Sequence, residues 1–377
     1  MTLMPAMAVG SADIVAAAAV RPGPIPVARP APAGVAHASW PAYRLDAATE
    51  EGLVPPDRIK RMGRGQAMAI GAVRRALAAC PAGATLPAPD ESTAVSVGTA
   101  WAEEGDEIVF LENMIKLGEK GAKPAFFVNS VKNALASQLA LCFGFRGENQ
   151  TFAHDALSFE SALWQGATLL RAGRSRHAVV CGVEALVEFQ EIQGHLFDWY
   201  RTDPAPLAPL TTQQCGTIPG EGAAAFILCA PGTTTSRLAR LSYVKARGPV
   251  QRGPTLAGRD EVAFLEQAMS EAGANRDATG LVLMGANGDA GLDAVYAEVA
   301  EWLRASPGGP TVGVYRHLTG DFATASALGF ELAVRAVASR AVPSEVRVVM
   351  GEPSPAEWVL LYHLSSAGYH SAILVSS

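Results

Sequence analysis

The stretch from Pro124 to Leu186 constrains the fold most, because several kinds of element follow one another there without a break. Its first part, PAFFVNSVKNALASQLALCF, is apolar enough to predict a buried helix, and a glycine-punctuated turn from Gly144 to Gly147 follows. Asn149 to Ala153 then predicts a short strand. Phe159 to Ala172 predicts a helix, which Gly173 ends as a left-handed cap.

The apolar run from Ala178 to Val183 predicts the next element, a buried strand of a parallel sheet. A corner between a strand and a helix is a place where many α/β enzymes hold a nucleophile. The first turn of the helix offers unpaired N–H groups and a positive potential there. The corner between residues 153 and 159 is therefore the first place to look for a catalytic side chain.

Four motifs along the chain point to one family. NSVKNALASQLA, GFRGENQTF and ALWQGATLLRAGRSRHAVVCGVEAL follow one another, and GEGAA occupies residues 220–224. In this order they resemble the β-ketoacyl synthases of the thiolase superfamily, and the resemblance runs from about Arg58 onward. It implies an α/β thiolase fold with five layers, αβαβα, built from two duplicated halves. Residues 1–232 would form the first half and residues 233–377 the second.

The resemblance also locates the family's catalytic positions, and each of them holds a different residue here. The nucleophilic cysteine, which precedes the helix-capping glycine at a fixed spacing, aligns with Ala156. The family's first catalytic histidine aligns with Asn287 in LVLMGANGDAGLDAVYAE. In RHLTGD the family's lysine aligns with Arg316, and its second histidine aligns with Asp321. A methyl group cannot attack a thioester, so no acyl-enzyme is expected at Ala156.

Losing the histidines removes hydrogen-bond donors as well. In the family they donate to the thioester oxygen and to the enolate that forms when malonyl loses carbon dioxide. The amide of Asn287 can still donate, whereas an ionised Asp321 cannot and would repel an enolate. The family's G-F-G-G-T-N-A segment is SSAGYHSA here, residues 365–372, without the Gly-Gly pair. Together these losses predict a dead synthase site.

The surface that forms a subunit interface in this superfamily is kept. The strand near Gln150 to Ala153 pairs there with its equivalent across a two-fold axis. The chain is thus most similar to a chain-length factor, which pairs as a heterodimer with an active ketosynthase subunit. That class often has glutamine at the position of Ala156, so a decarboxylase role of that glutamine is not expected here. The predicted tunnel and interface residues are Phe126, Phe127, Asn129, Asn133, Leu135, Phe143, Phe152 and His154.

Two further groups of side chains each have a functional and an ordinary interpretation. The basic residues Arg58, Lys60, Arg61 and Arg64 resemble the family's segment that docks the acidic acyl carrier protein, but a solvated helix end explains them equally well. The aromatic residues Phe189, Phe197, Trp199 and Tyr200 fit an apolar wall of an acyl tunnel, or ordinary packing.

A competing hypothesis is a stand-alone acyl-thioester hydrolase or acyltransferase with a relocated nucleophile. Ser158 and His317, with Asp289 or Asp321, would supply triad chemistry if they met at about 3 Å. Alternatively, Ser158 only caps the first turn of its helix. Cys215 lies in a loop and is the other candidate nucleophile. A third possibility is a scaffold that stabilises its partner without contacting substrate.

Composition excludes several function classes. The net charge of −6 disfavours general nucleic-acid binding, and neither zinc-finger spacing nor a Walker loop occurs, so no metal or cofactor is expected. Five scattered cysteines are typical of a reduced, cytoplasmic protein. No apolar run is long enough to span a membrane, and the first twenty residues do not suggest a signal peptide. The family resemblance implies a core strand at residues 3–10, whereas the prolines of residues 21–41 predict an extended surface loop.

Overall fold

The computed structural model describes residues 7–9, 11–30, 39–54, 62–81, 91–101, 103–211, 213–248, 259–305, 308–352 and 354–377. The strands are β1 (Met7–Val9), β2 (Ala12–Val20), β3 (Val27–Pro30), β4 (Ser39–Ala42), β5 (Thr93–Gly98), β6 (Asn149–Phe152), β7 (His177–Glu184), β8 (Gly222–Cys229), β9 (Ala239–Arg247), β10 (Leu281–Met284), β11 (Thr311–Val314), β12 (Arg347–Met350), β13 (Trp358–Leu364) and β14 (His370–Ser376). The helices are α1 (Ala47–Glu51), α2 (Arg64–Ala78), α3 (Glu104–Leu117), α4 (Pro124–Ser130), α5 (Ala134–Phe143), α6 (Ser158–Arg171), α7 (Glu188–Leu196), α8 (Arg259–Ala272), α9 (Ala290–Arg304) and α10 (Ser326–Ser339).

Within the described residues the strands other than β3 and β4 form one mixed sheet. Its order is β12-β11-β10-β13-β14-β9-β2-β8-β7-β5-β6, and β1 pairs with β9. The five strands β2, β5, β6, β7 and β8, numbered along the chain, lie in the order 1-5-4-2-3, and β9, β10, β11, β13 and β14 repeat that order. A repeated strand order is what duplication of one unit produces. The boundary at residue 232 stays a prediction.

Three hydrophobic clusters fill the spaces between the five layers, and the central cluster covers both sides of the middle layer of helices. In the outer cluster of the first half, side chains of α2 and α5 pack against one face of β5, β7 and β8. In the central cluster, α6 and α10 lie between the two sets of strands, where Phe159 and Phe330 both contact Phe226. In the outer cluster of the second half, α8 and α9 cover β10 and β13. The predicted α/β class with layers αβαβα is confirmed.

The predicted buried helix over residues 124–143 is wrong in two respects, because it is two helices and the first of them has no buried residue. α4 ends at Ser130, Val131 is extended with ψ 135°, and α5 begins at Ala134. The Ser130 hydroxyl donates to the carbonyl of Phe127 at 2.9 Å. A short polar side chain that bonds its own backbone in this way competes with a continuous helix.

Of the strand predicted over residues 3–10, residues 7–9 are described and form β1, which pairs with β9, whereas residues 3–6 and 10 lie outside the described residues. The next strand was not predicted. β2 (Ala12–Val20) lies between β8 and β9, and Asp13 is fully buried within it. The carboxylate of Asp13 accepts from the backbone N–H of Gly232 at 2.7 Å and pairs with Arg240 at 3.3 Å. These partners offset the cost of burying a charge in a strand. The proline-rich segment after β2 forms part of the small β3–β4 hairpin.

No helix in the described part of the chain combines the length and the apolarity needed to cross a bilayer.

Candidate functional site

The corner between β6 and α6 keeps the backbone of a nucleophile site. A short 3₁₀ turn, Asp155–Leu157, joins the two elements, and Asp155 has a left-handed φ of 44°. A Cβ atom on Gly98, at the end of β5, would lie 2.4 Å from the carbonyl oxygen of Ser158, so β5 approaches the corner very closely. Ala156 is buried at this corner and lines a cavity of about 410 Å³. The corner therefore presents a methyl group to the cavity.

The structure brings together all four positions that the sequence aligned with the family's catalytic residues. Ala156, Asn287, Arg316 and Asp321 line the same cavity. Asn287 follows β10, whereas Arg316 and Asp321 follow β11. β10 and β11 are parallel neighbours, so their carboxyl ends meet at one edge of the sheet.

The polar groups in the cavity are bonded to one another. The amide Nδ2 of Asn287 donates to Asp321 at 3.0 Å, and Nη1 of Arg316 pairs with the other carboxylate oxygen at 3.0 Å. Arg316 is only 1% exposed and also donates to the carbonyl of Phe322 at 3.2 Å. The charge of Asp321 is therefore balanced by Arg316. Asp321 accepts hydrogen bonds from Asn287 and Arg316, so those donors are not available to a thioester oxygen or an enolate.

His363 belongs to this network, and the sequence analysis missed it. It lies in β13, lines the cavity, and its Nδ1 is 3.2 Å from Nη2 of Arg316. Burial, followed by the nearby Arg316 charge, holds the pKa of His363 well below its ordinary value, so the ring is neutral. The signal that the sequence offered was the position of His363 itself, a polar side chain within the apolar strand WVLLYHL.

Acidic side chains surround the rest of the cavity. Glu184, at the end of β7, is buried and accepts hydrogen bonds from Thr99 at 3.0 Å and from the backbone N–H groups of Ala100 and Trp101. Burial raises its pKa to about 8. Asp289 caps α9 by accepting from Leu292 N. Asp155 and Asp198 contribute further carboxylates to the cavity lining. Among the described residues, no group of three or more His, Cys, Asp or Glu side chains is arranged to bind a metal ion.

The predicted Ser158–His317 triad is not assembled. Ser158 is fully buried, and its hydroxyl donates to the carbonyl of Asp155 at 2.7 Å and accepts from the N–H of His154 at 2.9 Å. Ser158 thus braces the corner. His317 bonds the carbonyl of Glu345 at 3.1 Å, and burial, followed by a nearby arginine, lowers its pKa to about 4. Cys215 is exposed and does not line the cavity.

Most of the predicted interface residues lie near the free edge of β6, which is the last strand of the sheet. Phe127 and Asn133 are exposed, whereas Phe126, Asn129, Phe143, Phe152 and His154 are half-buried. The prediction that Leu135 lies at the interface is wrong. Leu135 is 1% exposed and packs in the outer cluster of the first half, where a second subunit cannot reach it.

Neighbouring side chains extend this apolar surface. We use the term seam surface for the exposed apolar side chains of α3, α4, α5 and the residue after α4: Val109, Leu111, Met114, Ile115, Leu117, Phe127, Val128, Val131 and Leu141. The seam surface lies on helices that connect β5 to the edge strand β6. A large exposed apolar patch of this kind is typical of a subunit interface.

The predicted carrier-docking residues have separate outcomes. Arg58, Lys60 and Arg61 lie outside the described residues. Arg64 is described, and its guanidinium pairs with Glu221 and Glu50 within the chain. A partner would have to compete with those carboxylates, so docking by Arg64 stays a prediction. Of the aromatic residues, Trp199 and Tyr200 line the cavity, together with Trp101.

The buried carboxyl groups should lower stability as the pH rises from about 5 to 8, against an opposite contribution from His317 and His363 that is complete near pH 6.5. Burial raises the pKa of Glu160 and of Glu103 to about 7 and that of Glu184 to about 8. Because these folded-state pKa values exceed the unfolded value of 4.5, the unfolded chain releases these protons first. Their contribution to stability is therefore lost across that window. Thermal unfolding at pH 5, 6.5 and 8 measures the slope. Glu160→Gln, which cannot ionise, should make it shallower, and an unchanged slope would contradict this assignment.

Comparisons with known proteins agree with this geometry. The sequence profile of the β-ketoacyl synthase N-terminal domain matches residues 39–231. A search of curated proteins finds no match. A β-ketoacyl synthase from Burkholderia phymatum STM815 is similar in structure, with a TM-score of 0.79, 15% sequence identity, and coverage of 97% of this chain and 99% of that one. The ishigamide ketosynthase/chain length factor has a TM-score of 0.77, 17% identity, and coverage of 98% of this chain and 99% of that one. The ketosynthase ApeO in complex with its chain length factor ApeC from Xenorhabdus doucetiae has a TM-score of 0.76, 16% identity, and coverage of 98% of each chain. At these identities the structures show a shared fold.

Proposed function

The chain belongs to the β-ketoacyl synthase family, and we propose that it is a non-catalytic member that pairs with an active β-ketoacyl synthase. In this role it resembles a chain-length factor of type II polyketide, polyene or fatty-acid-like synthesis. It shapes the acyl tunnel and limits product length, while the partner and its acyl carrier protein carry out condensation. The observation that carries this proposal is Ala156, a methyl group at the corner where the family has its thiol.

The surrounding chemistry supports the same proposal. Covalent catalysis at this corner needs a nucleophile and donors directed at a developing oxyanion. The described residues supply neither a thiol nor a free hydroxyl at the corner, since Ser158 uses its hydroxyl on the local backbone. Asn287 and Arg316 donate to Asp321. Restoring the thiol alone, as in Ala156→Cys, should therefore not restore condensation.

The seam surface supports pairing with a second subunit of the same fold. β6 is the last strand of the sheet in the part of the chain that the structure describes, and an exposed strand edge beside an apolar patch favours association. Two subunits joined through β6 would share one continuous sheet. Two of the similar solved structures contain a ketosynthase together with a chain length factor. Such an assembly is the one we propose for this chain.

Bulk near the seam surface should set product length. An acyl chain grows by two carbons at each cycle, and a closed apolar pocket admits a further unit only if side chains leave room. In the reconstituted pair, Phe127→Ala should lengthen the main product by about one or two such units, measured by mass spectrometry of the released acids. Leu196→Ala, an exposed apolar residue of α7, is the matched control. If Phe127→Ala and the companion variants Phe126→Ala and Phe143→Ala all left product length unchanged, the ruler function would be excluded.

Co-expression with an active ketosynthase from the same organism tests the pairing. The proposal expects a one-to-one complex by size-exclusion chromatography and product formation only when both chains are present. A chain that purified alone as an active hydrolase would overturn the proposal. A chain that only kept its partner soluble, with tunnel substitutions silent, would reduce its role to that of a scaffold.

A further inference from the structure

The cavity at the corner contains a hydrogen-bond donor that the chain itself does not use. His363 is 4% exposed and lies on the cavity wall. Within the described part of the chain its Nε2 atom has no hydrogen-bond partner. Leaving a buried donor unsatisfied costs on the order of 1–3 kcal/mol. A structure keeps such a group where a water or a ligand completes it.

The neighbour of His363 fixes which ring nitrogen carries the proton. Arg316 is always protonated and can only donate, so Nδ1 of His363, 3.2 Å from its Nη2, is the acceptor. In a neutral imidazole the other nitrogen, Nε2, then bears the hydrogen. Arg316 is in turn held by Asp321 at 3.0 Å, and Asp321 accepts from Asn287. The network replacing the family's catalytic groups therefore orients one N–H donor.

The charges around the cavity limit what this donor can bind. Arg316 is the cationic residue of the lining, and Asp321 neutralises it. The lining carboxylates of Asp155 and Asp198 are both exposed, and in the described residues the cavity lining contains no cation other than Arg316. A carboxylate ligand would meet their negative charge, whereas an uncharged carbonyl would not. The volume of about 410 Å³ suits a ligand smaller than a long acyl chain.

We infer that the Nε2–H group of His363 donates a hydrogen bond to the carbonyl oxygen of an uncharged acyl thioester bound in this chain's own cavity. The acyl identity of the ligand rests on the proposed function. The binding itself requires no partner subunit. His363 is thus a binding residue in a cavity that has lost its nucleophile, and the cavity holds an acyl group without reacting with it.

Two probes that differ only at the carbonyl test this inference on the full chain. S-hexanoyl-N-acetylcysteamine carries the carbonyl, and S-hexyl-N-acetylcysteamine, a thioether, lacks it. By calorimetric titration the wild-type chain should bind the thioester about five- to tenfold more tightly, as one hydrogen bond allows. His363→Phe should remove that preference and leave thioether affinity within about twofold. His177→Gln, at a half-buried histidine at the start of β7 outside the cavity lining, should keep the preference.

A second measurement on the wild-type chain covers the case in which His363→Phe does not fold. With ¹⁵N-labelled histidine, NMR should show the neutral Nε2–H tautomer for His363, and the thioester but not the thioether should shift its N–H proton downfield. Equal affinity for the two probes, a preference that survives in His363→Phe, or an unmoved N–H signal would overturn the inference. Such a failure would leave pairing with a synthase untouched, because size-exclusion chromatography measures pairing independently.

Discussion

Replacing Glu221 with glutamine should lower the free energy of unfolding by about 3–5 kcal/mol, measured by urea denaturation. Glu221 is fully buried and accepts from the backbone N–H groups of Leu45 at 2.8 Å and Leu186 at 3.1 Å. Its carboxylate also pairs with Arg64, whose Nη2 lies 2.6 Å away. One carboxylate thus joins β8 to α2, to the segment before α1 and to the end of β7. The NH2 group of a glutamine side chain would face the N–H donors that the carboxylate of Glu221 now satisfies. Arg64 would also lose its buried partner.

The matched control is Glu50→Gln. Glu50 pairs with the same Arg64 guanidinium, but its side chain is 40% exposed. A solvent-exposed pair contributes little, so this loss should stay below about 1 kcal/mol. Comparable losses in the two variants would mean that Glu221 acts as an ordinary surface charge, and the assigned role of the buried carboxylate would be wrong.

Placing a carboxylate on the seam surface should abolish pairing with the synthase. Val128 on α4 is 57% exposed in the isolated chain and would be covered in the complex. An unpaired charge buried at an interface costs several kcal/mol, so Val128→Asp should weaken association by about a hundredfold or more. Analytical size exclusion across a dilution series measures this effect. The chain itself should keep its thermal midpoint, because Val128 contributes little to its own core.

Ile25→Asp controls for a general effect of added charge. Ile25 is exposed to 68% in the loop between β2 and β3, away from the seam surface in the chain. Its substitution should leave association within about twofold. If Val128→Asp paired as well as the wild type, the seam surface would not be the interface.

Local sequence signals predicted the elements that build the corner. Buried strands β7 and β8 follow from uninterrupted apolar runs, and the end of α6 follows from Gly173, whose φ is 66°. These features depend on a few consecutive residues. The break between α4 and α5 was missed because the family-like helix motif NSVKNALASQLA runs across it, while a serine–backbone bond and the extended Val131 end the first helix.

The interior of the site could not be read from local sequence. Arg316, Asp321 and His363 come from different parts of the second half, and their pairing depends on β11 and β13 ending at the same edge of the sheet. The alignment selected four positions that the structure brings together at one cavity, but it could not show that Asp321 pairs with Arg316 and Asn287. Leu135 was misplaced for a similar reason. A leucine at helical spacing looks the same in sequence whether it faces a neighbouring subunit or the chain's own core.

Intact-mass spectrometry of the purified pair, after incubation with an acyl-loaded carrier protein, tests the central claim most directly. The synthase chain should gain the mass of the acyl group, and this chain should keep its unmodified mass, because Ala156 offers no atom to acylate. An acyl mass increase on this chain, mapped by peptide digestion to any residue lining the cavity, would contradict the account.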